Sequence, residues 1–265
     1  MAMDLTMSVA GAMLLECNTP AQERYPTMLR RSKDRKVTNA VSPNGKTPTI
    51  ANTFGLPSGK AYSCPGATSV CEKICYAGNL ERIYKGVKEI LVDNWNQLKD
   101  ASQPQMEALL YQMIDEFDKD CEKRNAEKLF RIHWDGDFFN ETYAKAWKNV
   151  ILAFPNIQFW VYTRSAFAVP ILIDVDNLSL YYSADDANFF EAEELKATYG
   201  VKLAYLAEDF AAGKDRMLKL TVRSAIPCPE NNKKLKLISE KGSACVTCGQ
   251  CVFARNDILF SRSKK

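Results

Sequence analysis

A chain of 265 residues with 46% hydrophobic side chains can bury a substantial core, as one large α/β domain or two smaller ones, and this excludes disorder as its main state. A net charge of +3 from 35 basic and 32 acidic residues does not compel a nucleic-acid partner, although local basic runs at Arg24 to Lys36, Lys233 to Lys236 and Arg262 to Lys265 leave one open as an alternative to solvated surface. The apolar stretch Met7 to Leu15 lacks a basic segment before it and is too short to span a bilayer, so a cytoplasmic protein with no membrane partner is expected.

Residues 1–45 form an N-terminal extension that ends in a turn through Ser42, Pro43, Asn44 and Gly45. A strand is predicted at Thr49 to Phe54, then a loop in which Pro57, Gly59, Pro65 and Gly66 oppose regular structure. Helical spacing follows at Ile83, Val87, Ile90, Leu91, Trp95 and Leu98, and again from Met106 to Phe117. Five further strand-like runs come next: Leu129 to Asp135, Gln158 to Thr163, Leu178 to Ser183, Lys202 to Leu206 and Leu218 to Ser224. Strands separated by crossover segments pair in parallel, giving an open doubly wound sheet or a barrel-like arrangement. A partial (β/α)6 barrel over residues 46–226, followed by a cysteine-rich segment at 227–265, is the predicted architecture.

The barrel is preferred because of a side-chain pattern in the second strand. Alternation puts Arg131, His133 and Asp135 on one face and Phe130, Ile132 and Trp134 on the other. Parallel strands are normally apolar on both faces, so a polar stripe predicts a lumen that holds a ligand; an edge strand with one wet face is the alternative. Lys219, Thr221 and Arg223 repeat the stripe on the last predicted strand. His133, flanked by Arg131 and Asp135, is a candidate proton carrier as well as a candidate core residue. These three residues form the candidate catalytic set, and the basic members favour a polar or anionic substrate.

Seven of the nine cysteines fall into two groups, Cys64-x6-Cys71-x3-Cys75 and Cys228-x16-Cys245-x2-Cys248-x2-Cys251. Thiolates brought together suit iron-sulfur clusters or zinc. The C-terminal run Cys245-x2-Cys248-x2-Cys251, with Pro229 following Cys228, is similar to ferredoxin-type ligation of a [4Fe-4S] cluster, while a four-cysteine zinc site is the alternative. The N-terminal group has three cysteines and no nearby histidine, which would leave one metal position open for chemistry. Cys17 and Cys121 read as ordinary thiols. No G-x-S-x-G elbow, P-loop or dinucleotide glycine fingerprint is present.

A three-cysteine loop after a first strand, followed by a β/α series, resembles the radical S-adenosylmethionine superfamily, with x6 and x3 spacings where that superfamily has x3 and x2. The segments CPGATSVCEKICYA, FRIHWDGDFF and FWVYTRS resemble, in their order, a phage-encoded family typified by a mycobacteriophage gene product, over roughly Lys46 to Cys251. The first resemblance implies that Cys64, Cys71 and Cys75 hold a [4Fe-4S] cluster whose fourth iron binds S-adenosylmethionine. It implies also that Asp135-Gly136-Asp137 takes the place of a Gly-Gly-Glu segment, with Asp137 facing the methionine ammonium. Tyr76, Thr163, Arg164 and Ser183, at the loop and at strand ends, join Gly136 and Asp137 as candidate cofactor contacts. The implied activity is a 5'-deoxyadenosyl-radical modification, with the C-terminal cysteines holding a second cluster and an electron donor as partner. The second resemblance implies a phage protein acting in the host cytoplasm. A metal-stabilised module binding nucleic acid or a host protein is the alternative function.

Overall fold

The computed structural model describes residues 28–37, 50–220, 225–239 and 242–262. The apolar stretch 7–15, the turn at 42–45, Cys17, Thr221 and Arg223 lie outside these residues.

The chain begins its sheet with β1 (Thr53–Gly55), then runs through α1 (Ser69–Ile74), α2 (Tyr76–Ile83), α3 (Lys85–Leu98) and α4 (Gln103–Arg124). Strands and helices then alternate: β2 (Leu129–Asp135), α5 (Glu141–Ala153), β3 (Gln158–Thr163), α6 (Ala168–Leu172), β4 (Leu178–Ala184), α7 (Phe189–Tyr199), β5 (Lys202–Ala207) and α8 (Phe210–Met217). The C-terminal part supplies β6 (Ile226–Pro227), a hairpin of β7 (Ile238–Ser239) and β8 (Gly242–Ser243), α9 (Ala244–Cys248) and β9 (Ile258–Ser261).

Local sequence accounts for the boundaries. Ser102 and Gln105 close a capping box at the start of α4, with Pro104 in the first turn, where its missing N–H costs nothing. Asn125 ends that helix in the left-handed region at φ 49°. Asn140 caps α5 by accepting from the Tyr143 amide at 2.8 Å.

Seven strands form one sheet in the order β1-β2-β3-β4-β5-β9-β6, with every pairing parallel. Strands that add in sequential order through right-handed crossovers place their connecting helices on one face. That face is the main core: Phe130, Phe159, Leu180, Tyr182, Leu203 and Leu259 of the strands meet apolar residues of the helices, among them Phe117, Trp147 and Leu195. The opposite face carries Trp160, Tyr162, Tyr181, Ala204 and Ile258 in two small clusters, one covered by Val37, Val246 and Val252 and the other by Cys228, Cys251 and Ala254. Residues 28–37 and the C-terminal segment, rather than helices of the β/α series, close this second face.

The sheet departs from the sequence reading at its sixth position. Leu218–Leu220 continue from α8 as a turn, and the place beside β5 is taken by β9 from the C-terminal segment. Alternation in Leu218 to Ser224 imitates a strand, but the pairing partner that β5 selects lies more than fifty residues further along the chain. The boundary at 226–227 accordingly falls within β6, and the sheet crosses it. The protein is thus an α/β fold with an open, parallel seven-stranded sheet. No helix among the described residues is long and apolar enough to cross a membrane.

Candidate functional site

The three-cysteine loop leaves β1 at its carboxyl end and lies across the ends of the next three strands. Thr68 caps α1 by accepting from the Cys71 amide at 3.0 Å, and its hydroxyl donates to Asp185 after β4 at 2.6 Å. Gly66 packs so closely on the turn after β3 that a Cβ there would stand 2.1 Å from the Arg164 carbonyl oxygen. Cys75 caps α2, its Sγ accepting from the Gly78 amide at 3.3 Å.

Beneath this loop sits the Asp-Gly-Asp segment. Gly136 has φ 81°, and a Cβ would come within 2.8 Å of the Leu56 carbonyl oxygen, so only glycine lets the β2 end meet the loop. Asp137 accepts from the Thr163 hydroxyl at 2.6 Å and from the backbone amides of Arg164 and Phe138 at 2.7 Å each. It clamps the ends of β2 and β3 together, and burial lifts its carboxyl to about 6 despite those donors. Asp135 accepts from the Gly136 amide at 2.9 Å and abuts Glu81 of α2; burial, then the Glu81 carboxylate, push it to about 8. Its second oxygen is buried without a hydrogen-bond partner, and with the Glu81 carboxyl against it one of the pair must carry a proton.

The polar stripe is broken within β2. Thr53 pairs with Arg131 but Gly55 pairs with Asp135, so two steps along β1 span four along β2. His133 takes φ 57° in this bulge and turns toward the helices. Its Nε2 lies 2.9 Å from the Tyr143 hydroxyl, and its ring packs among Phe54, Phe138 and Trp147. Burial, then the Arg131 charge, press its pKa down to about 3, so it is neutral at physiological pH. Arg131 alone of the three faces the side opposite the crossover helices. There its Nη1 donates to Asp34 at 2.6 Å, its Nη2 to the Tyr76 hydroxyl at 3.4 Å, and its guanidinium stands 5.7 Å from the Tyr162 ring centre.

A cavity of about 470 Å³ opens on that side, a size suited to a small-molecule ligand. Both cysteine groups contribute to its wall: Cys71 and Cys75 from the first, and Cys228, Cys245, Cys248 and Cys251 from the second. Arg131, Tyr76, Arg164 and Ser183 line it as well. Cys64, Gly136, Asp137 and Thr163 do not; they stand behind, with the Cys64 thiol raised by burial and then by Asp137. The eight described cysteines are free thiols. Burial raises Cys245 strongly and Cys251 to about 12, while the Tyr162 hydroxyl donates to Cys251 and opposes the shift. Cys121 is buried in α4, apart from both groups, as an ordinary thiol.

Sequence reasoning missed the cavity's third wall. Lys36, paired with Glu230 at 3.1 Å, lines it from the N-terminal segment, which also supplies Asp34 to Arg131 and whose basic run gave no sign of which cation would turn inward. Trp160 and Tyr162, which complete it, lie on the face of β3 opposite Phe159 and Val161.

Among the described residues no three histidine, cysteine, aspartate or glutamate side chains stand at metal-holding distance. The donor chemistry nonetheless fits a thiolate-bound centre in the C-terminal group, where the Cys228, Cys245 and Cys248 thiols each act electrostatically on Cys251 or receive its influence. In the N-terminal group Cys71 and Cys75 influence one another while Cys64 lies nearer Asp137, so that set is gathered only in part.

Fold and site together define an α/β protein with a cysteine-lined cavity on the face of a parallel sheet opposite its crossover helices. The chain belongs to a phage protein family, described as Gene product 88, whose profile matches residues 27–254. It is 49% identical over 242 residues to the Gene 88 protein of Mycobacterium phage L5, covering 89% of this chain and 99% of that protein. It is 48% identical over 243 residues to the Gene 88 protein of Mycobacterium phage D29, with the same coverage of 89% and 99%. No solved structure matches it.

Proposed function

We propose that this phage protein is an iron-sulfur enzyme of the radical S-adenosylmethionine-like kind, acting in the reducing host cytoplasm on a small molecule held in the cavity. The observation that carries the reading is the meeting of two cysteine groups, distant in sequence, on one cavity beside Arg131. Ligands of parallel β/α folds gather at the carboxyl ends of strands, where the three-cysteine loop lies here. Crossover helices confined to one face, as sequential strand order with right-handed connections requires, leave the other face to the cysteine-bearing segments that wall such a chamber.

In this reading Cys64, Cys71 and Cys75 hold the first centre and the four C-terminal cysteines the second. When bound, a cubane with one open iron supplies reductive cleavage of S-adenosylmethionine to a 5'-deoxyadenosyl radical. The protein's own contribution is placement. Tyr76, Arg164 and Ser183 would contact the cofactor from the cavity wall, Asp137 and Thr163 would hold the strand ends that carry them, and the aromatic floor of Trp160 and Tyr162 would exclude water. Gathering Cys64 with Cys71 and Cys75 requires the loop to tighten on metal, as ligands without a metal often must.

Protein reduced with dithionite and given S-adenosylmethionine should release 5'-deoxyadenosine, and Cys71→Ala should abolish that release. Protein that carries iron yet neither binds nor cleaves S-adenosylmethionine would overturn the assignment. A second reading, a structural zinc module that binds nucleic acid or a host protein, draws on the packing of Cys245 and Val246 against Val37, Trp160 and Val252 in a small core. Colourless, zinc-loaded protein would favour it.

A further inference from the structure

The cavity is asymmetric in its polar groups. Four cations line it, Lys36, Arg131, Arg164 and Arg262, against the single carboxylate of Glu230. Asp34 and Asp185 pair with Arg131 and Arg164 at 2.6 and 2.8 Å but are not part of the cavity wall. Three lining residues also carry a buried nitrogen with no hydrogen-bond acceptor: Arg131 Nε, Trp160 Nε1 and Arg164 Nη1. Arg164 Nη1 is close to Asp185 without hydrogen-bond geometry, and its side chain is only 10% exposed. Trp160 is 1% exposed, and it pairs with Arg131 across β2 and β3. All three are donors; four other buried nitrogens without hydrogen-bond partners, on His133, Trp134, Trp147 and Arg216, lie elsewhere, and so do the buried acceptors without such partners, on Gln97, Asp118 and Asp135, so the cavity wall holds unpartnered donors and no unpartnered acceptor. A buried donor left unmade costs free energy, so donors gathered on one wall call for an acceptor-rich guest.

We propose that the cavity binds a small molecule carrying an oxyanion, carboxylate or phosphate, on a flat apolar body. The oxyanion seats on Arg131, Trp160 and Arg164, and the body lies against Tyr162 and Phe260. Forked guanidinium donors match the paired oxygens of such a group, and the rings supply a surface for its planar part. This deepens the enzyme reading by naming the substrate class, but oxyanion binding does not depend on which metal the cysteines hold.

Calorimetric titration of the full chain as purified, with phenyl phosphate and with benzoate, tests the proposal; phenol is the neutral control. One anion should bind at one site per chain and phenol should not. The preferred anion identifies phosphate or carboxylate chemistry. Arg131→Gln and Arg164→Gln should each weaken binding by about tenfold or more, the loss of a charge-assisted hydrogen bond. Because either change strands an aspartate and can disturb folding, Trp160→Phe provides the safer variant: it keeps the ring, removes only the N–H, and should weaken the same anion several-fold. Binding of neither anion, equal binding of phenol, or affinity unchanged by Trp160→Phe in folded protein would overturn the proposal. Zinc-loaded, colourless protein that binds the anion would sink the iron-sulfur reading and sustain this one; brown protein that binds neither would do the reverse.

Discussion

Asp135→Asn should make the protein more stable, and increasingly so as pH rises. Asp135 is 3% exposed and meets Glu81, and its folded pKa of about 8 stands above an unfolded value of 3.8. A carboxyl raised in the fold contributes stability that is complete below 3.8 and is lost as pH rises toward 8. Between pH 5 and 7 the wild-type protein therefore loses up to about 3 kcal/mol from this one group, at roughly 1.4 kcal/mol per unit of a full titration. Asparagine never ionises, and its amide N–H can donate to the Glu81 carboxylate in place of the proton that the carboxyl pair loses as pH rises. Urea denaturation of both proteins at pH 5 and pH 7 gives the quantity directly, as the change in their stability difference between the two conditions. A change in favour of the variant of about 2 kcal/mol is expected, allowing for relaxation around Glu81. A difference that stays within ~0.5 kcal/mol would refute the shared-proton picture and leave Asp135 as an ordinary ionised carboxylate.

His133 should titrate in the opposite sense. Its folded pKa, about 3 against 6.5 when unfolded, means stability present above pH 6.5 and lost as pH falls toward 3, so His133→Asn should gain on wild type by up to ~1.4 kcal/mol per unit across that window in urea titrations. Asparagine tolerates the positive φ at this position, which keeps the comparison free of new backbone strain. Gly66→Ala drives a methyl into the Arg164 carbonyl and should lift the three-cysteine loop from the strand ends, lowering metal bound by the N-terminal group while the C-terminal group retains its own. Metal analysis showing no loss would place the loop elsewhere. Replacing Cys245, Cys248 and Cys251 together by Ala should remove about half of the bound iron, and no loss of iron would assign that group to zinc or to no metal.

Much of the sheet was legible because the helix-covered face imposes alternation. β2 and β3 fall at Leu129–Asp135 and Gln158–Thr163 as the pattern predicts, and α4 follows its apolar repeat from Met106 to Phe117. What alternation cannot reveal is a bulge. His133 shares a predicted face with Arg131 only if every residue of β2 stays in register with β1, and the two extra steps against Thr53 and Gly55 turn it into the core. The last strand was missed for a different reason. Ile258–Ser261 is four residues long and its choice of partner depends on β5 and β6 together, whereas the alternating Leu218 to Ser224 carries a stronger local signal. Both cysteine groups were legible from spacing, but their convergence was not, since it depends on the C-terminal segment crossing back over the face opposite the crossover helices.

The central claim is that these cysteines hold thiolate-bound iron around one cavity. Iron, sulfide and zinc content of the full chain, purified without oxygen, tests it most directly. Two four-iron centres predict about eight irons and about eight sulfides per chain, with broad absorption near ~400 nm. Zinc without sulfide, or no bound metal at all, would contradict the claim.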